Sequence, residues 1–208
     1  MKTIYKTIIS TLICLIVILW SILFTINFRP IYYFCIDKFE IPKASSLEKN
    51  EIKNNYDYLI DYLVYSDNNE LNLPSFSSSK EGIQHFIDVK TIFQSITTVF
   101  YIFYFGFLWI YLLLLNKKII IIRETLKLSS AFLLSFMGTI ALIFINFQKF
   151  FDIFHKIIFK NNYWIFSPEK DPIINILPEN FFALCFFFIL LLISINSIIM
   201  LIFSKKTN

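Results

Sequence analysis

The chain has 208 residues, of which 57% are hydrophobic and 16% charged, with a formal net charge of +4. That balance excludes an ordinary soluble domain, because the apolar residues are gathered into runs rather than spread over an amphipathic core. Three cysteines, two of them inside such runs, form neither a disulfide framework nor a metal spacing, and no basic stripe with interleaved aromatics points to nucleic acid.

The first run, Ile8–Phe28, can cross a hydrocarbon core, which takes about 20 apolar residues. Lys2 and Lys6 precede it, but it exceeds a signal core of about 7–15 residues and has no small-x-small cleavage site, so it is expected to stay as an anchor. A segment of about 65 residues follows, too long for an idle connection. It opens with Arg29-Pro30 and the aromatics Tyr32, Tyr33 and Phe34. Ser45-Ser46-Leu47-Glu48 then has the S-x-x-E form of a capping box, and Ile52, Tyr56, Leu59 and Leu63 set one apolar helical face that Asp67-Asn68-Asn69 ends. Leu71–Ser79 is a loop or short edge strand. A helix starting near Ser79 is expected to carry Gly82–Lys90 into the second span, Ile96–Leu115.

After a short connection, 116–127, comes a third span, Leu128–Phe147, and then about 33 strongly aromatic residues. Phe150, Phe151, Phe154, Phe159, Tyr163, Trp164 and Phe166 crowd around His155. Asn161-Asn162 and Ser167-Pro168 are turns, and Asp171-Pro172 reads as a helix start with the carboxylate as cap. The fourth span is Phe181–Phe203. With both termini and 116–127 inside, the inner segments hold eight cations against one acid, Glu124, while 29–93 and 148–180 hold eleven cations against fourteen acids. The positive-inside bias therefore places the long segments outside. The expected architecture is all-α: four transmembrane helices capped outside by 29–93 and 148–180.

The only two histidines, His85 and His155, lie before the second span and after the third. Those spans share a short inner loop, so their outer ends should converge. Asp88 stands at i+3 from His85 and Asp152 at i−3 from His155, each on its histidine's helical face, where a carboxylate can fix an imidazole tautomer and raise its basicity. An aromatic belt at headgroup depth with a histidine in it is the plain alternative. A zinc site made from both histidines and two aspartates lacks any HExxH or paired cysteines, and neither a G-x-S-x-G elbow nor a glycine-rich cradle is present. Cys35 has no base paired with it and reads as a small buried hydrophobe.

H-F-I-D-V-K, His85–Lys90, resembles one signature of the bacterial lipoprotein intramolecular transacylases, the Lit family of four-span membrane proteins. The stretch F-H-K-I-I-F-K-N-N-Y-W-I-F-S-P-E-K-D-P-I-I-N-I-L-P-E-N-F-F, Phe154–Phe182, is similar to that family's segment between the third and fourth spans. The resemblance implies a cofactor-free acyltransferase of the bacterial cell membrane. It would act on diacylglyceryl-modified lipoproteins, moving the sn-2 acyl chain onto the α-amino group of the N-terminal cysteine, with His85 and His155 as catalytic residues at the junction of cap and membrane. An acidic residue often stands in the family where this chain has Ser167, so Asp171 or Asp152 is the expected substitute support. Phe154, Tyr163, Trp164 and Tyr33 are the expected pocket wall, and Lys90 either holds the oxyanion or snorkels to the interface. A monomer is expected, in contact with membrane lipid, and heavy use of Ile, Asn, Lys and Phe fits an AT-rich Gram-positive source. An interfacial ester hydrolase and a non-catalytic scaffold or sensor are the readings from other classes.

Overall fold

The computed structural model describes residues 2–65, 70–116, 122–141 and 146–206, and among these every regular element is helical. The helices are α1 (Lys2–Asn27), α2 (Pro30–Lys38), α3 (Ile41–Ser45), α4 (Lys49–Val64), α5 (Lys80–Asn116), α6 (Ile122–Ala141), α7 (Phe147–Ile158) and α8 (Glu179–Lys206), with a 3-10 turn at Pro172–Ile176. Among the described residues, three helices are long and apolar enough to cross a membrane, over Thr3–Asn27, Lys80–Leu114 and Glu179–Lys205. At 37 residues α5 extends about 55 Å, nearly twice a hydrocarbon core of about 30 Å. Its more polar first turns, up to Ser95, carry His85.

The third apolar run is only partly described, since α6 covers its start and residues 142–145 lie outside the described set. Phe147 does not close that span but opens α7. The cause is Asn146, whose side chain accepts the Lys149 backbone N–H at 3.0 Å and caps a new helix. Residues 117–121, within the connection expected to lie inside, and the expected helix end at Asp67-Asn68-Asn69 also lie outside the described residues.

The chain divides into two compact units, one of 1–24, 96–145 and 187–208, the other of 25–95 and 146–186. In the first, α1, α6 and α8 meet at Cys14, Leu133 and Ile193, flanked by Val17, Ile18, Met137, Ile189 and Met200. Small residues let these backbones approach closely. Ser10 Oγ donates to the Thr125 carbonyl at 3.2 Å, Ser129 Oγ to that of Ser10 at 3.3 Å and Ser130 Oγ to that of Ser197 at 2.8 Å. As numbering rises along α6 the partners rise in α1 and fall in α8, so α1 and α6 run together and α8 against them. The Lys6–Glu124 pair, 3.1 Å apart, joins the starts of α1 and α6. Many apolar side chains along the α5 stretch in this unit, among them Tyr101, Ile102, Phe105 and Trp109, are exposed, as lipid-facing residues are.

The second unit has a core of Tyr32, Cys35, Ile36, Ile41, Ile52, Tyr56, Ile173 and Ile176. The Tyr32 and Tyr56 rings stack with centroids 3.6 Å apart, Phe181 meets both edge-on, and Tyr32 Oη donates to the Ile176 carbonyl at 2.8 Å. Ile52, Tyr56, Leu59 and Leu63 are all buried, as their helical spacing predicts. The S-x-x-E capping box does not form. Ser45 instead ends α3, its Oγ donating to the Ile41 carbonyl, and Glu48 caps α4 by position without a side-chain hydrogen bond. Leu71–Ser79 is loop, tied to α4 by Asn55, which donates to Ser75 Oγ and accepts the Ser75 N–H, both at 3.0 Å.

Candidate active site

His85 sits on the second turn of α5, and the start of that helix is fixed with care. Ser79 Oγ accepts the Gly82 N–H at 2.9 Å, while the Asp171 carboxylate, buried at 4% exposure, accepts both the Ser79 N–H and its Oγ–H at 2.8 Å. Asp171 thus caps α5 through Ser79, 92 residues away, and not the 3-10 turn that it precedes. Gly82 makes this possible, because a Cβ there would lie 2.2 Å from Asp171 Oδ1. Sequence reading missed this joint; a glycine three residues after a capping serine was its only signal.

His155 lies on α7 between Phe151 and Phe159, each four residues away and so on one face. Its ring centroid is 4.0 Å from that of Phe151, 4.9 Å from Trp164 and 5.5 Å from both Phe159 and Phe154. His85 meets Phe159 at 4.7 Å, Phe166 at 5.4 Å and Phe86 at 5.7 Å. The two imidazoles are 6.2 Å apart, with Phe159 touching both. The only two histidines, seventy residues apart in sequence, therefore share one aromatic site.

His155 Nδ1 is 2.8 Å from the Phe151 carbonyl oxygen. A carbonyl can only accept, so the neutral ring keeps its proton on Nδ1 and presents the Nε2 lone pair, the tautomer of a base. His85 is 7% exposed, and its Nδ1 is buried with no hydrogen-bond partner among the described residues. Burial, helped by His155 and opposed by Asp88, pushes the His85 pKa down to about 4. Burial also lowers that of His155, against the Phe151 carbonyl and Asp152, which raise it. Two neutral imidazoles in a water-poor aromatic setting are suited to relaying a proton between groups of a bound molecule.

The family model for the lipoprotein intramolecular transacylase Lit matches residues 7–182, a stretch that contains both histidines. The chain belongs to the Lit family. It is 35% identical to the membrane-integral lipoprotein intramolecular transacylase Lit from Bacillus cereus, solved in meso, with a TM-score of 0.90 over 100% of this chain and 99% of that one. Structures of the Bacillus cereus protein with the H85R and the H85A mutation each match at 35% identity with a TM-score of 0.86, covering 99% of this chain and 91% and 93% of theirs. No curated protein matches the sequence. Membership of a family with a membrane-integral structure, together with three membrane-length helices, makes this a membrane protein.

In this Lit-family chain the expected supporting carboxylates are placed otherwise. Asp88 accepts from Gln84 Nε2 at 2.9 Å and from Asn161 Nδ2 at 3.1 Å, not from His85. Asp152 acts on His155 through space, while the hydrogen bond of the imidazole Nδ1 is with the Phe151 carbonyl. Lys90 is buried with its ammonium 4.5 Å from the Tyr62 ring centroid, a cation–π contact with α4. Of the expected wall, Trp164 and Phe154 lie against His155. Tyr163 is exposed, and Tyr33 hydrogen-bonds to Asp57 at 2.8 Å. Phe86, Phe159 and Phe166, against His85, complete the site. Cys35 is fully buried, which pushes its thiol up to about 11 and makes it inert at neutral pH.

Lowered pKa values mean that the folded state binds fewer protons than the unfolded state below pH 6.5. These histidines favour the folded state above 6.5, and for His85 that contribution is lost as pH falls toward about 4. With only two histidines, an NMR titration of the histidine-labelled protein should show two imidazoles neutral at pH 7, both titrating below 6.5 and His85 lowest. A midpoint above 6.5 for either ring would contradict this.

Proposed function

We propose that this chain transfers the acyl chain at glycerol sn-2 of a diacylglyceryl-modified lipoprotein to the α-amino group of the same molecule's N-terminal cysteine, leaving the lyso form. The observation that carries the reading is the meeting of the two histidines, both held neutral, in one aromatic site. That a Bacillus cereus relative has been solved with its histidine 85 replaced adds weight to the choice of His85.

His155 is the general base. As the amine nitrogen attacks the ester carbonyl carbon, a C–N bond forms and Nε2 takes the amine proton. The tetrahedral centre then collapses, the bond from carbon to the glycerol oxygen breaks, and a proton is returned to that oxygen, with His85 as donor or relay. The net change is one acyl group moved and one proton carried from nitrogen to oxygen, and ester-to-amide exchange is downhill without ATP. General acid–base help of this kind contributes about 10²–10⁴-fold. Because nucleophile and ester belong to one molecule, holding them in register adds effective molarities of about 10⁵–10⁸ M. The rings of Phe151, Phe154, Phe159, Trp164 and Phe166 keep out the water that would hydrolyse the ester.

We place this site at the outer face of a bacterial membrane, beneath a cap of 29–93 and 148–180 on four spans, with both termini inside; the charge asymmetry of the segments supports this. At that depth the histidines meet the glycerol ester of a membrane-held lipoprotein. The protein acts as a monomer from a Gram-positive source.

The test is mass spectrometry of an N-terminal lipopeptide from a host that makes only the diacylglyceryl form, with and without this protein. One acyl chain on the α-amine at unchanged total mass is the expected result. A mass lower by one acyl chain would mean a hydrolase. No change, with the protein present in the membrane, would refute the enzyme reading.

A further inference from the structure

We infer that the Trp164 indole N–H is the donor that receives the ester carbonyl oxygen as it gains negative charge; this rests on the acyl-transfer reading above. Among the described residues three buried side-chain polar atoms have no hydrogen-bond partner: Ser78 Oγ, His85 Nδ1 and Trp164 Nε1. Two of the three belong to the aromatic site. A buried donor without a partner is rare in a folded protein and calls for an explanation. Indole nitrogen can only donate, so the partner it lacks is an acceptor. Tryptophans of an interfacial belt hold their N–H at the wet headgroup level. In Trp164 that atom is enclosed by protein, and the ring lies 4.9 Å from His155, beside the base that would serve the attacking amine.

The turn that carries Trp164 is held for this purpose. Asn161 Oδ1 accepts the Tyr163 N–H at 3.0 Å, and the Asn162 carbonyl accepts the Ile165 N–H at 3.1 Å. Asn161 Nδ2 donates to Asp88, one turn beyond His85 on α5, which ties the turn to the helix of the second histidine. Asp88 is thus a positioning residue for the Trp164 turn. The other nitrogen donor beside the base is committed, since His155 Nδ1 is held by the Phe151 carbonyl. In the reaction, the carbonyl π pair moves to oxygen as the amine adds, and that oxygen accepts the indole N–H. Collapse returns the pair to the C=O bond as the glycerol oxygen leaves. The indole keeps its proton throughout, and His85 is left to serve the departing oxygen.

The experiment uses the full-length protein in phospholipid vesicles with a synthetic diacylglyceryl lipopeptide. Two variants are compared with wild type: Trp164→Phe, and benzothienylalanine placed at position 164, which keeps the shape of the ring but has no N–H. Loss of one oxyanion donor is expected to lower kcat about 10²–10³-fold, with KM changed less than about threefold. If the isostere retains wild-type kcat, or only raises KM, Trp164 is merely a wall and the inference is overturned. If wild type gives free fatty acid or no N-acylated product, the acyl-transfer reading itself fails, whatever the variants do.

Discussion

His155→Phe is expected to lower N-acylation by about 10²–10⁴-fold, the range for removal of a general base, while melting of the protein in detergent hardly moves. Phenylalanine keeps a ring in contact with Phe151, Phe159 and Trp164, so the packing that those rings supply survives. Two nitrogens are lost. Nδ1 is used only to hold the tautomer against the Phe151 carbonyl, so its loss leaves one carbonyl lone pair unused within a helix. Nε2 is the atom that takes the amine proton. A His155→Phe protein that melts like wild type and transfers acyl chains within a few-fold of it would remove His155 from the mechanism.

Gly82→Ala is expected to be the most damaging single methyl that this chain can gain near the site. The added carbon would meet Asp171 Oδ1 at 2.2 Å, Asp171 Cγ at 2.9 Å and Ser79 Oγ at 3.3 Å. Either α5 shifts or the carboxylate leaves Ser79, and overpacking of this sort costs about 1–3 kcal/mol. His85 lies three residues further along the same helix, so the displacement also moves a proposed catalytic ring. The expected result is a lower melting temperature together with loss of product. A double-mutant cycle isolates the cause: with Asp171→Ala as background the obstructing carboxylate is gone, and Gly82→Ala should then add little. Full additivity of the two changes would contradict the joint.

Much of this was legible in the sequence where period and punctuation agree. The apolar face Ile52, Tyr56, Leu59 and Leu63 is buried as its spacing requires, and Ser79 starts the helix that carries His85. The two histidines, expected to converge, have ring centroids 6.2 Å apart. What failed was pairing. The i±3 spacing of Asp88 and Asp152 puts carboxylate and imidazole on one face but does not choose hydrogen-bond partners. His155 found a backbone carbonyl four residues back, and Asp88 found Asn161, 73 residues on. The same limit explains the S-x-x-E motif, whose serine was taken by the helix before it. Asn146 shows the opposite fault: hydropathy alone hides a capping residue that sits inside an apolar run. Asp171 reads as a cap from the proline after it, but which helix it caps is a long-range fact that local sequence does not carry.

The central claim, transfer within one molecule by a pair of neutral histidines, is most directly tested by a crossover measurement. Purified protein in vesicles is given two diacylglyceryl lipopeptides together, one with deuterated acyl chains on a mass-tagged peptide and one with ordinary chains on an untagged peptide. Every N-acylated peptide should then carry its own chain at unchanged total mass, and the rate of product formation should fall about 10²–10⁴-fold with His155→Phe. Chains exchanged between the two peptides, release of free fatty acid, or a rate within a few-fold of wild type without His155 would contradict this.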